Sequence, residues 1–229
     1  VLQGDFLLAL ITYKNMDTSS LNEDEKEEYN YKLGYCYFLN NDKTKAKVCF
    51  EKVKDTGGKY SSAAKYYYAH ILYTEGSYNL ALKEFEDLKK DRKFGKIVPY
   101  YICQIYYFQE NYPKIIEMAP TLSENAINSK RSTELNRMLG DSYYKMGQYE
   151  EAIPYIKKSI ESSTAVNKED NYLMGYCLMK TQKYDEAIPY LKAAAMDKDT
   201  MSQNALYNLG YCCLSTQDTT AAQTYFKAA

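Results

Sequence analysis

Few residues in this chain have the chemistry of a catalyst. The sequence contains one histidine, His70, the only side chain whose ordinary pKa lies near neutrality. A catalytic histidine needs a nucleophile or an orienting carboxylate within hydrogen-bond reach. Its neighbours on the same helical face are Tyr66, Tyr67 and Tyr73. We therefore expect His70 to contact a ligand or to be a partly buried structural residue, and we predict no catalytic residue.

The six cysteines do not form the pattern of a metal site or of a disulfide framework. No two are separated by two residues, the spacing typical of zinc ligands. They lie in apolar stretches with helical spacing, whereas disulfide frameworks belong mainly to short secreted chains. Gly57-Gly58 has neither the lysine nor the spacing of a phosphate-binding loop. The sequence therefore predicts free thiols, no metal and no cofactor. The cysteines are Cys36, Cys49, Cys103, Cys177, Cys212 and Cys213.

Composition and charge exclude several classes of protein. Of the 229 residues, 45% are hydrophobic, which is enough for a packed core. Twenty-nine basic residues stand against thirty acidic ones, so no net field attracts a nucleic acid. No apolar run approaches the roughly 20 residues that span a bilayer, and the start lacks the basic segment of a signal peptide. We expect no nucleic-acid partner and no membrane insertion by this segment.

Two charged runs have simple explanations. The acidic run at residues 23–28 lies where a helix is expected to begin, so its charges complement the helix dipole, and it lacks the ligand pattern of a calcium loop. The basic stretch at residues 89–96 is interpreted as a solvated turn, with an anion-binding patch as the alternative.

The elements that position these residues follow from an internal repeat. Tyr172-Leu173-Met174-Gly175-Tyr176-Cys177 recurs as Tyr207-Asn208-Leu209-Gly210-Tyr211-Cys212, 35 residues later, and similar segments surround Gly34 and Gly140. Alanine follows each of these glycines after twelve residues. A second pattern, Gln148-Tyr149-Glu150-Glu151-Ala152-Ile153-Pro154-Tyr155, recurs at residues 183–190 with lysine and aspartate in place of the first glutamine and glutamate. A period of about 34 residues is typical of tetratricopeptide repeats.

These residues closely resemble the tetratricopeptide repeat family, and their composition is similar to that of Bacteroidetes-type bacterial members. The resemblance implies an all-α fold, a right-handed α-α superhelix or solenoid of antiparallel helix pairs. It divides residues 1–229, taken as a single solenoid, into the second helix of a truncated repeat with a linker, then six repeats. The boundaries are 1–26, 27–60, 62–95, 96–129, 133–166, 168–201 and 203–229, the last repeat being incomplete. We expect both ends of this array to be open and the segment to belong to a longer protein.

The spacing of small and large residues predicts how each helix pair packs. Small residues in the first helix are expected to face small residues in the second, and bulky residues four positions further on are expected to fill the space between repeats. The first set is Gly34, Ala69, Gly140, Gly175 and Gly210; the second is Ala46, Ala81, Ala152, Ala187 and Ala222; the bulky set is Phe50, Phe85, Ile156, Leu191 and Phe226.

The family places a concave groove along the first helices, and here that groove is rich in tyrosine. Tyrosine offers a large contact area at low entropic cost together with a hydroxyl group. Many of these tyrosines also fit the ordinary repeat pattern, so a scaffold role is the alternative. The predicted groove residues are Tyr31, Tyr35, Tyr66, Tyr67, His70, Tyr73, Tyr101, Gln104, Tyr107, Arg137, Asp141, Tyr144, Tyr176 and Tyr211.

One binding mode of the family is disfavoured by the residues themselves. Its chaperone-tail binders hold a peptide carboxylate with lysine, asparagine and arginine at fixed groove positions. Here the position of the first lysine is tyrosine in every first helix except at Arg137, whose repeat carries Asp141 and is followed by Leu173. That carboxylate clamp is absent from the sequence.

The sequence therefore predicts a non-catalytic scaffold that binds a peptide or protein segment in a tyrosine-rich groove. Two alternatives remain open. The chain could be a structural segment that self-associates through its open ends, or an accessory domain of a cell-envelope complex. Some of the Bacteroidetes-type repeat proteins that the chain resembles work in the cell envelope, which makes a periplasmic parent one alternative, whereas the free thiols favour the cytoplasm. The compartment stays undecided.

Overall fold

The computed structural model describes residues 2–122, 129–163 and 166–229, without the side chains of residues 2–6, 121, 129 and 130. The predicted third and fourth repeats, 96–129 and 133–166, include residues 123–128 and 164–165, which lie outside the described part. Within that part the fold is all-α, as predicted, with one short 3₁₀ turn at Ala119–Thr121. The helices are α1 Leu2–Lys14, α2 Glu23–Leu39, α3 Lys43–Glu51, α4 Ser61–Thr74, α5 Tyr78–Asp87, α6 Val98–Phe108, α7 Tyr112–Met118, α8 Ser129–Lys145, α9 Tyr149–Ser162, α10 Lys168–Lys180, α11 Tyr184–Ala194, α12 Thr200–Ser215 and α13 Thr219–Ala228. Across those residues we find no helix with the length and apolar character needed to cross a bilayer.

The helices form two compact units, Val1–Ile105 and Tyr106–Ala229, with the boundary inside α6. In unit 1, α2 packs on α3 and α4 on α5, and α3 contacts α4. In unit 2, the hairpins α8–α9, α10–α11 and α12–α13 follow one another, and α10 contacts both α8 and α12. Each unit is therefore a stack of helical hairpins with its first helices side by side.

The turn inside each hairpin has the same backbone conformation. The second residue after the first helix has positive φ. The backbone N–H of the residue that follows it donates to the carbonyl five residues earlier, as Lys183 does to Leu178 at 2.8 Å. This is the Schellman arrangement, which satisfies the last carbonyls of a helix. Glycine suits the left-handed residue, yet only two of the six turns have it. The positive-φ residues are Asn41, Gly76, Glu110, Gly147, Gln182 and Gln217.

Polar residues cap the starts of several helices. The Asn22 side chain accepts from the Glu25 N–H while the Glu25 carboxylate accepts from the Asn22 N–H, a reciprocal capping box at the start of α2. Asn167 and Asp199 cap α10 and α12 in the simpler way, each accepting from the N–H three residues later. These caps satisfy donors that a helix start leaves unpaired.

The seam inside each hairpin differs in detail from the expected small-against-small contact. A Cβ added at Gly175 would lie 2.7 Å from Leu191 Cγ, and one at Gly140 would lie 2.6 Å from Ile156 Cγ1. At these two glycines the nearest side chain is thus the bulky residue four positions after the alanine, which packs within its own hairpin. Bulky residues also contact the next repeat, as predicted: Phe50 stacks on Tyr67 at 5.5 Å and Phe85 on Tyr101 at 5.1 Å, measured between ring centroids. The alanines are fully or almost fully buried. The close approach arises because a large side chain fills the space that the glycine leaves.

Ion pairs link neighbouring hairpins in both units. In unit 1, Lys54, three residues beyond the end of α3, pairs with Glu84 of α5 at 2.9 Å, and both side chains are mostly buried. In unit 2, Lys168 at the start of α10 pairs with Asp197 at 2.8 Å and also contacts Asp199, both in the segment that precedes α12. Partial burial reduces the screening of the Lys54–Glu84 pair by solvent.

The seam contact predicts different outcomes for two glycine substitutions. Gly175→Ala forces a methyl group into Leu191 and its backbone nitrogen, which should lower the unfolding free energy by about 1–2 kcal/mol after the gain in helix propensity. Gly210→Ala meets only ring carbons of Phe226, a side chain that is 38% exposed and can move, so it should be close to neutral. Urea unfolding followed by circular dichroism measures both. Equal losses for the two variants would contradict this account of the seam.

The hairpin turns predict a stabilising substitution. In Gln182→Gly the left-handed conformation no longer strains a side chain, a cost of roughly 1–2 kcal/mol that the entropy of glycine only partly offsets. Thermal and urea unfolding should show a gain in stability, and the reverse change at the equivalent turn, Gly147→Gln, should show a loss. A destabilised Gln182→Gly variant would refute the prediction.

Candidate functional site

The cysteines are core residues. All six are free and buried. Burial raises the pKa of the Cys177 and Cys103 thiols to about 12 and that of Cys212 to about 11. A nucleophilic cysteine needs a lowered pKa and access to solvent. These thiols have neither property, which agrees with the prediction that they are free and structural.

His70 lies among aromatic rings. Its ring centroid is 5.5 Å from that of Tyr101 and 5.9 Å from that of Phe38, both in edge-on arrangements, and Tyr66 and Tyr73 lie at 6.3 Å. This environment suits a packing or contact residue. Within the ranges of the chain that the structure describes, no group of three histidine, cysteine or carboxylate side chains could hold a metal ion.

In unit 1 the predicted groove tyrosines are brought together, but mainly against one another. Tyr35 and Tyr67 lie 5.3 Å apart and Tyr73 and Tyr101 lie 5.5 Å apart, measured between ring centroids. Tyr31 stacks on Tyr35 at 6.3 Å. Burial, reinforced by the neighbouring Tyr35, raises the pKa of Tyr67. With Tyr66, which contacts both Tyr67 and Tyr101, these rings form one aromatic cluster. Tyr101 is only 5% exposed and lies within this cluster.

A polar chain borders this cluster. The Tyr73 hydroxyl donates to the Gln104 side-chain oxygen at 3.0 Å, and the Gln104 amide donates to the Tyr100 hydroxyl at 2.9 Å. The hydroxyl of Tyr66 donates to that of Tyr101 at 3.3 Å. Gln104 is thus fixed by two tyrosines of the same unit.

In unit 2 the predicted residues line open space. Cavity A has a volume of about 550 Å³ between α8 and α10. The Tyr107 hydroxyl donates to Asp141 at 2.8 Å, and burial together with this carboxylate raises the pKa of Tyr107. The exposed Arg137 pairs with the buried Asp170 at 3.3 Å. Cavity A is lined by Tyr107, Phe108, Glu110, Tyr112, Arg137, Asp141, Tyr144, Lys145, Glu169, Tyr172, Leu173 and Met201.

A second space of about 500 Å³, cavity B, lies between α10 and α12. Four of its eight lining residues are tyrosines, and the ring centroids of Tyr184 and Tyr211 are 6.1 Å apart. The Lys180 ammonium lies over the Tyr176 ring, 5.3 Å from its centroid. The Asn208 amide donates to the Tyr172 hydroxyl at 3.4 Å. Cavity B is lined by Tyr176, Met179, Lys180, Gln182, Tyr184, Tyr207, Asn208 and Tyr211.

The predicted groove residues therefore occupy two kinds of surroundings. Of the predicted set, Tyr107, Arg137, Asp141 and Tyr144 line cavity A, and Tyr176 and Tyr211 line cavity B. The predicted residues from Tyr31 to Gln104 belong to unit 1 and to its aromatic cluster and polar border.

The groove prediction omitted several cavity residues. Tyr112 and Tyr184 begin the second helices α7 and α11, as Tyr78 and Tyr149 begin α5 and α9. This recurrence was visible in the sequence and could have identified both residues. Lys180 has an equivalent in Lys145, which lies five residues after the seam glycine of its own repeat and lines cavity A, so this recurrence too was visible in the sequence. By contrast, no pattern singles out Asn208, since asparagine does not recur at its repeat position.

Three family models match the chain. Two tetratricopeptide repeat models match residues 28–56 and 172–229. A model for the anaphase-promoting complex, cyclosome, subunit 3 matches residues 114–194. A comparison with curated proteins finds no significant match.

Solved structures of the same architecture are numerous, with 124 matching chains. YrrB, a tetratricopeptide repeat protein with an unusual peptide-binding site, is 19% identical with a TM-score of 0.57, over 77% of this chain and 88% of that one. The C-terminal part of a repeat protein from Cytophaga hutchinsonii is 15% identical with a TM-score of 0.58, over 97% and 88%. A repeat protein from Parabacteroides merdae is 16% identical with a TM-score of 0.55, over 99% and 86%. At these identities the likeness shows the fold.

The repeated hairpins, the glycine seams and the matching repeat models all indicate the tetratricopeptide repeat fold. The fold is that of protein-interaction scaffolds, and members of this class are generally non-catalytic. The chain contains tetratricopeptide repeats at residues 28–56 and 172–229 and has the all-α fold of tetratricopeptide repeat proteins.

Proposed function

We propose that unit 2 binds an extended segment of a partner protein along its first helices, without catalysis. The observation that carries this proposal is the pair of cavities A and B, each of which has four tyrosines among its lining residues, five of the eight from α8, α10 and α12. Tyrosine rings supply contact area, and their hydroxyls can bond the backbone of a peptide. The similarity of fold to YrrB, a repeat protein with a peptide-binding site, supports a peptide as ligand.

The two cavities suit different side chains. Cavity A has three carboxylates, Glu110, Asp141 and Glu169, against the cations Arg137 and Lys145. This mixed lining suits a polar or basic side chain of the ligand. None of the described residues that line cavity B has a carboxylate; its rings accompany two amides, Gln182 and Asn208, and the ammonium of Lys180. Cavity B therefore suits an apolar or proline side chain, because proline packs well on aromatic rings in an extended peptide.

Helix α10 lines both cavities and so sets the distance between the two peptide side chains that would occupy them. Tyr172 lines cavity A and Tyr176 lines cavity B, one helical turn along, and their ring centroids are 6.0 Å apart. Neighbouring helices lie about 8–10 Å apart, and an extended chain rises about 3.3 Å per residue. A peptide crossing from cavity A to cavity B thus needs anchor side chains about three residues apart.

A separate observation favours self-association as a second candidate function. The described part of α1 exposes Leu7, Leu8 and Ile11, with Met16 just beyond the helix. Exposed apolar residues grouped on one element are typical of interaction surfaces.

Alanine substitution of exposed cavity B tyrosines tests the peptide proposal. The probe is a fluorescein-labelled dodecapeptide selected from a random phage-displayed library on the wild-type chain. Tyr207→Ala with Tyr211→Ala removes two rings that are 60% and 46% exposed, and anisotropy should show about tenfold weaker binding or more, as expected of tyrosines at binding hot spots.

The matched control is Tyr190→Ala with Tyr225→Ala, two tyrosines of second helices outside both cavities, which should bind as the wild type does. Circular dichroism confirms that each variant is folded. Equal weakening in the two double variants, or a library that yields no binding peptide, would refute the proposal.

Light scattering tests the second candidate. If α1 mediates self-association, the mass should rise with concentration, and Leu8→Glu should abolish the rise because a charge would be buried in the contact. A monomeric mass at every concentration excludes self-association without affecting the peptide proposal.

A further inference from the structure

Unit 1 contains a cavity that the proposed peptide site does not use. This space, cavity C, has a volume of about 370 Å³. It lies between Tyr31 of α2, the first turn of α4 and the loop that joins α5 to α6. Its chemistry differs from that of cavities A and B, because cations rather than carboxylates predominate around it.

Three cations border cavity C: Lys59, Arg92 and Lys93. All three are exposed, and none lies within ion-pair distance of a carboxylate among the described residues. The Lys59 ammonium lies 5.2 Å from the centroid of Tyr60, and that of Lys93 lies 5.2 Å from the centroid of Phe94. The cations are thus positioned at the edge of an aromatic surface and are available to an anion.

The single carboxylate of the lining, Asp91, is already engaged. It accepts from the backbone N–H groups of Lys93 and Phe94, both at 2.8 Å. Burial acts to raise its pKa, but hydrogen bonds from Ser62, Phe94 and Lys93 bring the pKa below its ordinary value. Asp91 therefore fixes the loop that presents Arg92 and Lys93, and the lining keeps an excess of two positive charges.

The walls of the cavity are aromatic and firmly packed. Tyr31 stacks on Tyr60 with ring centroids 4.8 Å apart, and the buried Phe94 stacks on Tyr66 at 4.6 Å. Rings held in this way offer a preformed surface on which a further ring can pack. Arginine beside such a surface can bond a carboxylate with two parallel N–H groups.

The structure separates the basic stretch that the sequence presents as one turn. Lys89 pairs with Glu86 at 2.8 Å and does not line the cavity, whereas Arg92 and Lys93 do. Arg92 and Lys93 are exposed, as expected of a solvated turn, and they are also the part of the stretch that could bind an anion.

From these contacts we propose that cavity C binds an acidic peptide segment in which an aromatic side chain is flanked by carboxylates. The ring packs against Tyr31, Tyr60 and Phe94, and the carboxylates pair with Lys59, Arg92 and Lys93. A protein segment is favoured over a nucleic acid because the whole chain has a net charge of −1, so no net field attracts a polyanion.

The test uses the full chain and a fluorescein-labelled heptapeptide, Gly-Glu-Glu-Phe-Glu-Glu-Gly, followed by anisotropy. Arg92→Gln with Lys93→Gln should weaken binding at least fivefold. Lys89→Gln with Lys90→Gln removes the same charge from the same stretch outside the cavity, and should stay within twofold of the wild type. Two control peptides, with glutamine for each glutamate or alanine for the phenylalanine, should bind at least fivefold more weakly than the probe.

The outcomes are decisive in either direction. Equal weakening by both double variants would show that the probe binds through non-specific charge attraction, and this would overturn the proposal. So would equal binding of the alanine peptide, no binding of the probe, or displacement of the probe by an equimolar single-stranded oligonucleotide. The unit 2 variant Tyr207→Ala with Tyr211→Ala should bind the probe normally, so the failure of the proposal for cavities A and B and the failure of this one are distinguishable.

Discussion

The geometry of these hairpins depends on the contact between a glycine of the first helix and a bulky side chain of the second helix. Where the first helix carries glycine, the large residue of the second helix occupies the space that a Cβ would need, as Leu191 does at Gly175. The two helices can then approach closely, and their relative rotation is fixed by a shape that tolerates no added methyl group. That rotation decides which residues of the first helix face away from the seam. Tyr172 and Tyr176 lie within one turn of Gly175 on α10, so the seam contact also positions these two tyrosines of cavities A and B.

Similar tyrosine patterns give a filled cluster in unit 1 and open cavities in unit 2, and the difference lies in their neighbours. In unit 1 the adjacent positions are themselves aromatic, with Phe38, His70 and Phe94 supplying further rings, and rings pack readily on rings. In unit 2 the corresponding neighbours include Asp141 and Arg137, whose charges are costly to bury. Charged residues beside tyrosines keep the space between first helices accessible.

The period of the repeat was sufficient to predict the helix pairs and the buried seam alanines, because both depend on the spacing of residue types along one helix face. It was not sufficient to distinguish Tyr101, which is buried, from Tyr211, which lines a cavity, since both occupy a first-helix groove position. That difference depends on which residues of the adjacent hairpin lie opposite. Nor could the positions of the glycines identify the left-handed turn residues Gln182 and Gln217, which are not glycine. There the hydrogen bonds of the turn impose the conformation on residues that do not favour it.

A chain with almost no net charge can still carry surfaces of opposite character. Asp141, Glu110 and Glu169 make cavity A the more acidic space, while Arg92, Lys93 and Lys59 make cavity C basic. Each set acts over a few ångströms beside an aromatic wall, where solvent screens charges less than on an open surface. The rings contribute contact area to many ligands, whereas the local sign of charge selects among them, because an opposed charge left unpaired is costly. A scaffold without the family's carboxylate clamp can therefore obtain selectivity from which charges border its tyrosines.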